Sequence, residues 1–269
     1  MKDLDQFISL ATIAPLLFRM GLVAFFVIAV AVIAERLGPF LGGMVASLPL
    51  LTGPVYVLLA LEHDAAYFHA TTVASVAICS AIPVFVLVYA MLAPSQSGPV
   101  SVLGALLAWS VLGVIVSSRE WSLPEALLFV APVYAVSLPL AQNFTRGVAV
   151  RRAKRHWSDL VVRAVLVAGF TGVIMVVSKH VPASVTGVLS VMPILMSSLM
   201  LVLHARIGGL GTAALMAHTL GGIVGMVLAF SLVHLTVLSI GVWPALASGL
   251  ALSVGWNTML IIVKRLRSR

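Results

Sequence analysis

Apolar runs of about twenty residues recur along this chain, separated by short polar punctuation, and that recurrence restricts the fold more than any motif does. The run over 67–92 and the one over 210–233 are examples. A helix needs about 20 apolar residues to cross the hydrocarbon of a bilayer. Barrel strands alternate in polarity, whereas these runs are continuous, so they read as helices. Of the 269 residues, 61% are hydrophobic and 9% charged, where a soluble chain carries about a quarter charged. The chain therefore reads as an all-α membrane protein with nine transmembrane helices, near 16–34, 40–61, 67–92, 100–117, 124–141, 160–178, 183–204, 210–233 and 243–263. Turn signals fall between them, such as Gly38-Pro39, Glu62-His63-Asp64 and Ile207 to Gly211.

The net charge of +8 does not indicate nucleic acid, because the basic residues lie between and after the apolar runs. Nine of the sixteen sit in two places: Arg146, Arg151, Arg152, Lys154 and Arg155, then Lys264, Arg265, Arg267 and Arg269. Basic loops remain on the cytoplasmic side. The expectation is a cytoplasmic loop over 146–156, a cytoplasmic C-terminus and, with five spans before the loop, an N-terminus outside. Anionic membrane lipid is the partner that these clusters imply. Residues 1–18 lack the basic start of a cleavable signal peptide and carry Asp3 and Asp5, so they read as an interfacial lead-in. Cys79 lies inside a span and reads as small apolar filler.

A shift of 144 residues superposes the chain on itself. RMGLVAFF (19–26) falls on RAVLVAGF (163–170), Gly43 on Gly187, Pro49 on Pro193 and Glu62 on Arg206. Over 18–51 the ungapped match gives nine identities in 34 positions. Spans 1–4 then match spans 6–9, which divides the chain into repeat one (1–117), a linking fifth span with the basic loop (118–158), and repeat two (159–269). An odd linking span makes the second copy enter the membrane from the opposite side. The halves become inverted-topology repeats, an arrangement that recurs in secondary transporters, whose sites lie beside interrupted helices near the midplane.

The matched features are a basic residue at Arg19 and Arg163, glycine at Gly43 and Gly187, and proline at Pro49 and Pro193. Together with Glu62, Ala70-Thr71, SAIPVFVLV (80–88) and the series Pro99, Gly104, Trp109, they resemble the GlpM family of small four-span bacterial inner-membrane proteins. The second copy keeps Pro244 and Gly249 but lacks a proline matching Pro83. The resemblance implies a multi-pass protein of the bacterial inner membrane that carries two such units. It implies architecture rather than an activity.

Candidate site residues follow from the paired breaks. A proline removes one helical hydrogen bond and displaces the carbonyl four residues back, and in lipid the freed groups need partners. Ser47 and Thr52 lie near Pro49, and Ser190, Ser197 and Ser198 near Pro193. With Thr71 and His218, the one histidine near the centre of a span, Ser47, Pro49, Thr52, Ser190, Pro193 and Ser197 form the expected substrate-binding set. His218 reads equally as a helix–helix contact. Arg19 and Arg163 either snorkel to the interface or act as paired gates for an anion, which arginine grips through two parallel hydrogen bonds. No span interior holds Asp or Glu, which argues against proton-driven export of cations. GGIVG (221–225) reads as a close-packing surface.

Two functions remain open. One is a transporter or exporter of a small neutral or anionic metabolite, or of a lipid-linked phosphate, working by alternating access without a cofactor or metal. The other is a non-transporting integral membrane subunit or partner of an envelope protein complex. For either function the expected protein partner is a second copy, as a homodimer, or another membrane protein. A membrane enzyme acting on lipid is disfavoured, because the spans offer no carboxylate–histidine constellation, and acid–base work needs groups within hydrogen-bond reach.

Overall fold

The computed structural model describes residues 15, 17–25, 28–29, 52–146 and 157–267. A helical stretch at 17–25 is followed by α1 (Thr52–Leu59), α2 (Ala65–Ile78), α3 (Ala81–Leu92), α4 (Gly98–Ser117) and α5 (Leu123–Gln142). Then come α6 (Trp157–Val177), α7 (Ala183–Ser190), α8 (Ile194–Ile240) and α9 (Val242–Arg267). No strand occurs among the described residues. Among the described residues, five stretches are long and apolar enough to cross a membrane: Ala65–Leu92, Gly98–Ser117, Leu123–Gln142, Ala183–Ile240 and Val242–Leu266. Ser47, Pro49, Gly43 and most of the basic loop lie outside the described residues.

The fourth stretch has 58 residues. A straight helix of that length, at about 1.5 Å per residue, would be more than twice as long as a hydrocarbon core of about 30 Å is thick. It reverses at Gly208, whose φ of 78° belongs to glycine. α8 therefore has a first arm (194–207) and a second arm (209–240). The turn presses on the loop after α3: a Cβ on Gly209 would stand 1.8 Å from the carbonyl oxygen of Ala93.

Polar contacts show the direction of α2–α3, α6, α7 and α8. At one end of the bundle Glu62 meets Arg19 and Lys179, and His63 bonds Ser178. His69 also lies there, against His234. At the other end Arg206 pairs with Asp159 and Tyr89 bonds His204. The α2–α3 segment runs from the first end to the second, and the second arm of α8 returns beside it. α6 runs from the second end to the first, and α7 with the first arm runs back.

The α2–α3 segment is the core. Every residue from Thr71 to Pro83 is buried, with α5, α7 and α8 packed around it. Pro83 has no N–H to give the carbonyl of Cys79, four residues back. That carbonyl accepts the Tyr134 hydroxyl of α5 at 3.2 Å beside the Ile82 N–H at 3.3 Å, which fastens α5 to the middle of the α2–α3 segment. α4 and α5 turn apolar side chains outward, with Leu107 67% and Leu128 76% exposed. Such an inside-out distribution needs hydrocarbon surroundings. In the GGIVG segment, the Gly221 carbonyl accepts the Trp256 indole at 2.9 Å, and Gly225 lies under the same ring. This is the expected close packing, here of α8 on α9.

Candidate functional site: a broken helix, two ion pairs and an apolar cavity

α7 ends at Ser190 and α8 begins at Ile194. Between them Val191, Met192 and Pro193 leave the helical ladder, as the proline predicts. The Pro193 carbonyl then accepts both the backbone N–H of Ser197, at 2.8 Å, and its hydroxyl, at 2.7 Å. Ser190 likewise donates to the carbonyl of Thr186 at 2.8 Å. Two of the expected binding hydroxyls thus bond back to carbonyls of their own segments.

The segment before the break lies against α2 at very short range. A Cβ on Gly187 would meet the carbonyl oxygen of Thr71 at 2.3 Å. Ser75 donates its one hydroxyl proton to the carbonyl of Gly187 (2.9 Å), shared with that of Thr71 (3.1 Å). It therefore accepts from Tyr56, whose hydroxyl stands 2.6 Å away. One turn closer to the first end, Tyr67 donates to Thr186 at 2.7 Å. Thr71 itself is 1% exposed, and its hydroxyl makes no hydrogen bond among the described residues. The structure thus places Thr71 at the crossing of α2 with α7, the helix that ends at Ser190 just before Pro193, and adds Tyr56, Tyr67 and Ser75, which have no distinguishing sequence signal. His218 is elsewhere, exposed on the second arm of α8.

Two ion pairs tie helices together at opposite ends. At the first end Arg19 pairs with Glu62, and Lys179 approaches the same carboxylate at 3.4 Å. At the second end Arg206 grips Asp159 through two contacts of 2.9 Å, a bidentate fork. Glu62 and Arg206 are the positions that the 144-residue shift superposes, and they carry opposite signs. Arg19 is thus engaged by a carboxylate rather than open to solvent alone. Arg163 lies one turn after Asp159 in α6, and its side chain is outside the described ones.

Histidines gather at the first end. His63 stacks on Tyr67 with centroids 3.7 Å apart. Ser178 gives its proton to the carbonyl of Met175, so His63 Nε2–H donates to Ser178. Burial holds the His63 imidazole below its usual range, and Lys179 acts the same way against Glu62 and Asp64. His69 and His234 stack at 3.8 Å, and each offers Nδ1–H to the other's backbone carbonyl. Their sequence separation hides this pair. No group of three or more possible metal ligands occurs among the described residues.

Near the first end there is also a cavity of about 470 Å³ between the 17–25 stretch, α1, the second arm of α8 and α9. Leu22, Tyr56, Phe230 and Trp243 are among its walls, and of the expected binding residues that the structure describes Thr52 alone reaches it. Among the described residues its lining contains no charged side chain. No family model matches the chain, and neither curated proteins nor solved structures include a match.

Proposed function

We propose that the chain is a secondary transporter or exporter of the bacterial inner membrane. It would move a small neutral or anionic metabolite, or a lipid-linked phosphate, by alternating access between two inverted halves. Each half comprises four of nine spans, and α5 is the unpaired link. The two halves would be duplicated GlpM-like units.

One observation carries this reading. Glu62 and Arg206 occupy equivalent repeat positions, yet their ion pairs close opposite ends of the bundle. Two copies in the same orientation would put equivalent pairs at the same end. Inverted copies place one latch at each end, with the interrupted α7–α8 helix between them, as alternating access requires. Arg19 and Arg163 remain the proposed anion contacts. At Arg19 a substrate anion would compete with Glu62, so binding would loosen the latch it enters through.

Solute flux in proteoliposomes tests the proposal. Arg19→Gln is expected to insert normally and to transport more slowly. Folded protein that moves no neutral or anionic metabolite would overturn it. A second reading, a non-transporting subunit, draws on the broad apolar face of α4, where Leu103, Leu107 and Val111 are all exposed. Co-purification of a stoichiometric membrane partner would favour it.

A further inference from the structure

The cavity has the volume of a ligand site, about 300–1,000 Å³ for small molecules, and a lining unsuited to a hydrophilic one. Among the described residues of its lining, Thr52, Tyr56 and Ser253 bear hydroxyls. Tyr56 already bonds Ser75 at 2.6 Å, and Thr52 lies 3.9 Å from the sulfur of Met226. A polar solute would lose its water here and gain few hydrogen bonds, a cost of several kcal/mol. Water is disfavoured for the same reason, and apolar cavities of this kind stay dry. An empty void forfeits dispersion contacts along its whole lining.

The rim shows what fills the space. Leu22, Val57, Trp243 and Leu250 are each 45–51% exposed, and they join the cavity to the outward apolar surface that hydrocarbon must cover. Trp243 begins α9 immediately after the Gly241 turn, the depth at which tryptophan marks the membrane interface. The opening therefore meets the acyl chains just below the headgroups. Gly53 forms part of the wall, and a Cβ built there meets nothing within 4 Å.

We propose that this cavity is a lipid-tail site, which takes one acyl chain of a membrane phospholipid from the adjoining leaflet. The proposal concerns binding and holds whether or not the halves alternate. The full chain is reconstituted in phosphatidylcholine vesicles that contain a trace of lipid with a photoactivatable diazirine in its acyl chain. After illumination, adducts are mapped by mass spectrometry. Labelling of 52–58 and 243–253 is expected to exceed that of the outward face of α4. Gly53→Leu, which plugs the space, is expected to abolish the excess and leave α4 labelling unchanged. Ala247→Leu, at the opposite wall, serves the same purpose if the first variant unfolds. Labelling no stronger than on α4, or labelling that persists in a folded plugged variant, would overturn the proposal.

Discussion

At the scale of single residues, charge placement makes the sharpest predictions. Asp159 is 9% exposed and Arg206 28%. Removing one partner of a buried pair costs about 3–5 kcal/mol, because the other charge is left uncompensated. Partial solvent access lowers that figure, so Asp159→Asn is expected to cost about 1–3 kcal/mol in thermal unfolding in detergent. The exchange Asp159→Arg with Arg206→Asp, which copies the polarity of the Arg19–Glu62 pair, is expected to recover most of the loss. His63 sets a pH dependence. Its neutral form is favoured in the folded state, so the unfolded chain takes up the proton first. Stability from this group is complete above the ordinary imidazole value of 6.5 and declines as pH falls through it toward the lower folded value. The unfolding midpoint is expected to drop between about pH 8 and about pH 5, and less so in His63→Gln. An equal drop in the variant would assign the effect to other groups.

At the scale of elements, close approach governs. Gly187→Ala would force α7 away from the carbonyl of Thr71, at an expected cost of about 1–3 kcal/mol. Gly53→Ala, whose new methyl meets open space, is expected to leave the unfolding midpoint unchanged. These elements also mark how much a reader of the chain could foresee. The break at Pro193 was legible, because proline states its own effect on the ladder. So was the glycine-rich surface of α8, because small residues at helical spacing have few other uses. The anchoring of α5 by Tyr134 was not, since the carbonyl of Cys79 lies 55 positions away and nothing local names its partner. The ion pairs were half legible: Glu62 and Arg206 stand at span ends, but the helix each one meets depends on packing. The cavity gave no signal, since its lining has the same composition as ordinary lipid-facing surface.

At the scale of the whole molecule, positions related by the 144-residue shift differ in their surroundings. Tyr56 and Phe230 border the cavity near the first end, whereas their equivalents by the shift, Met200 and Val86, are fully buried. The proposed function depends on inversion, and Ser95 and Ser239 test it most directly. They are equivalent under the shift and both exposed. Single replacements by cysteine, with the buried Cys79 left in place, can be labelled in intact cells with a membrane-impermeant thiol reagent. Inverted halves predict that one site is labelled from outside and the other only after the membrane is opened. Labelling of both from the same side would contradict the account.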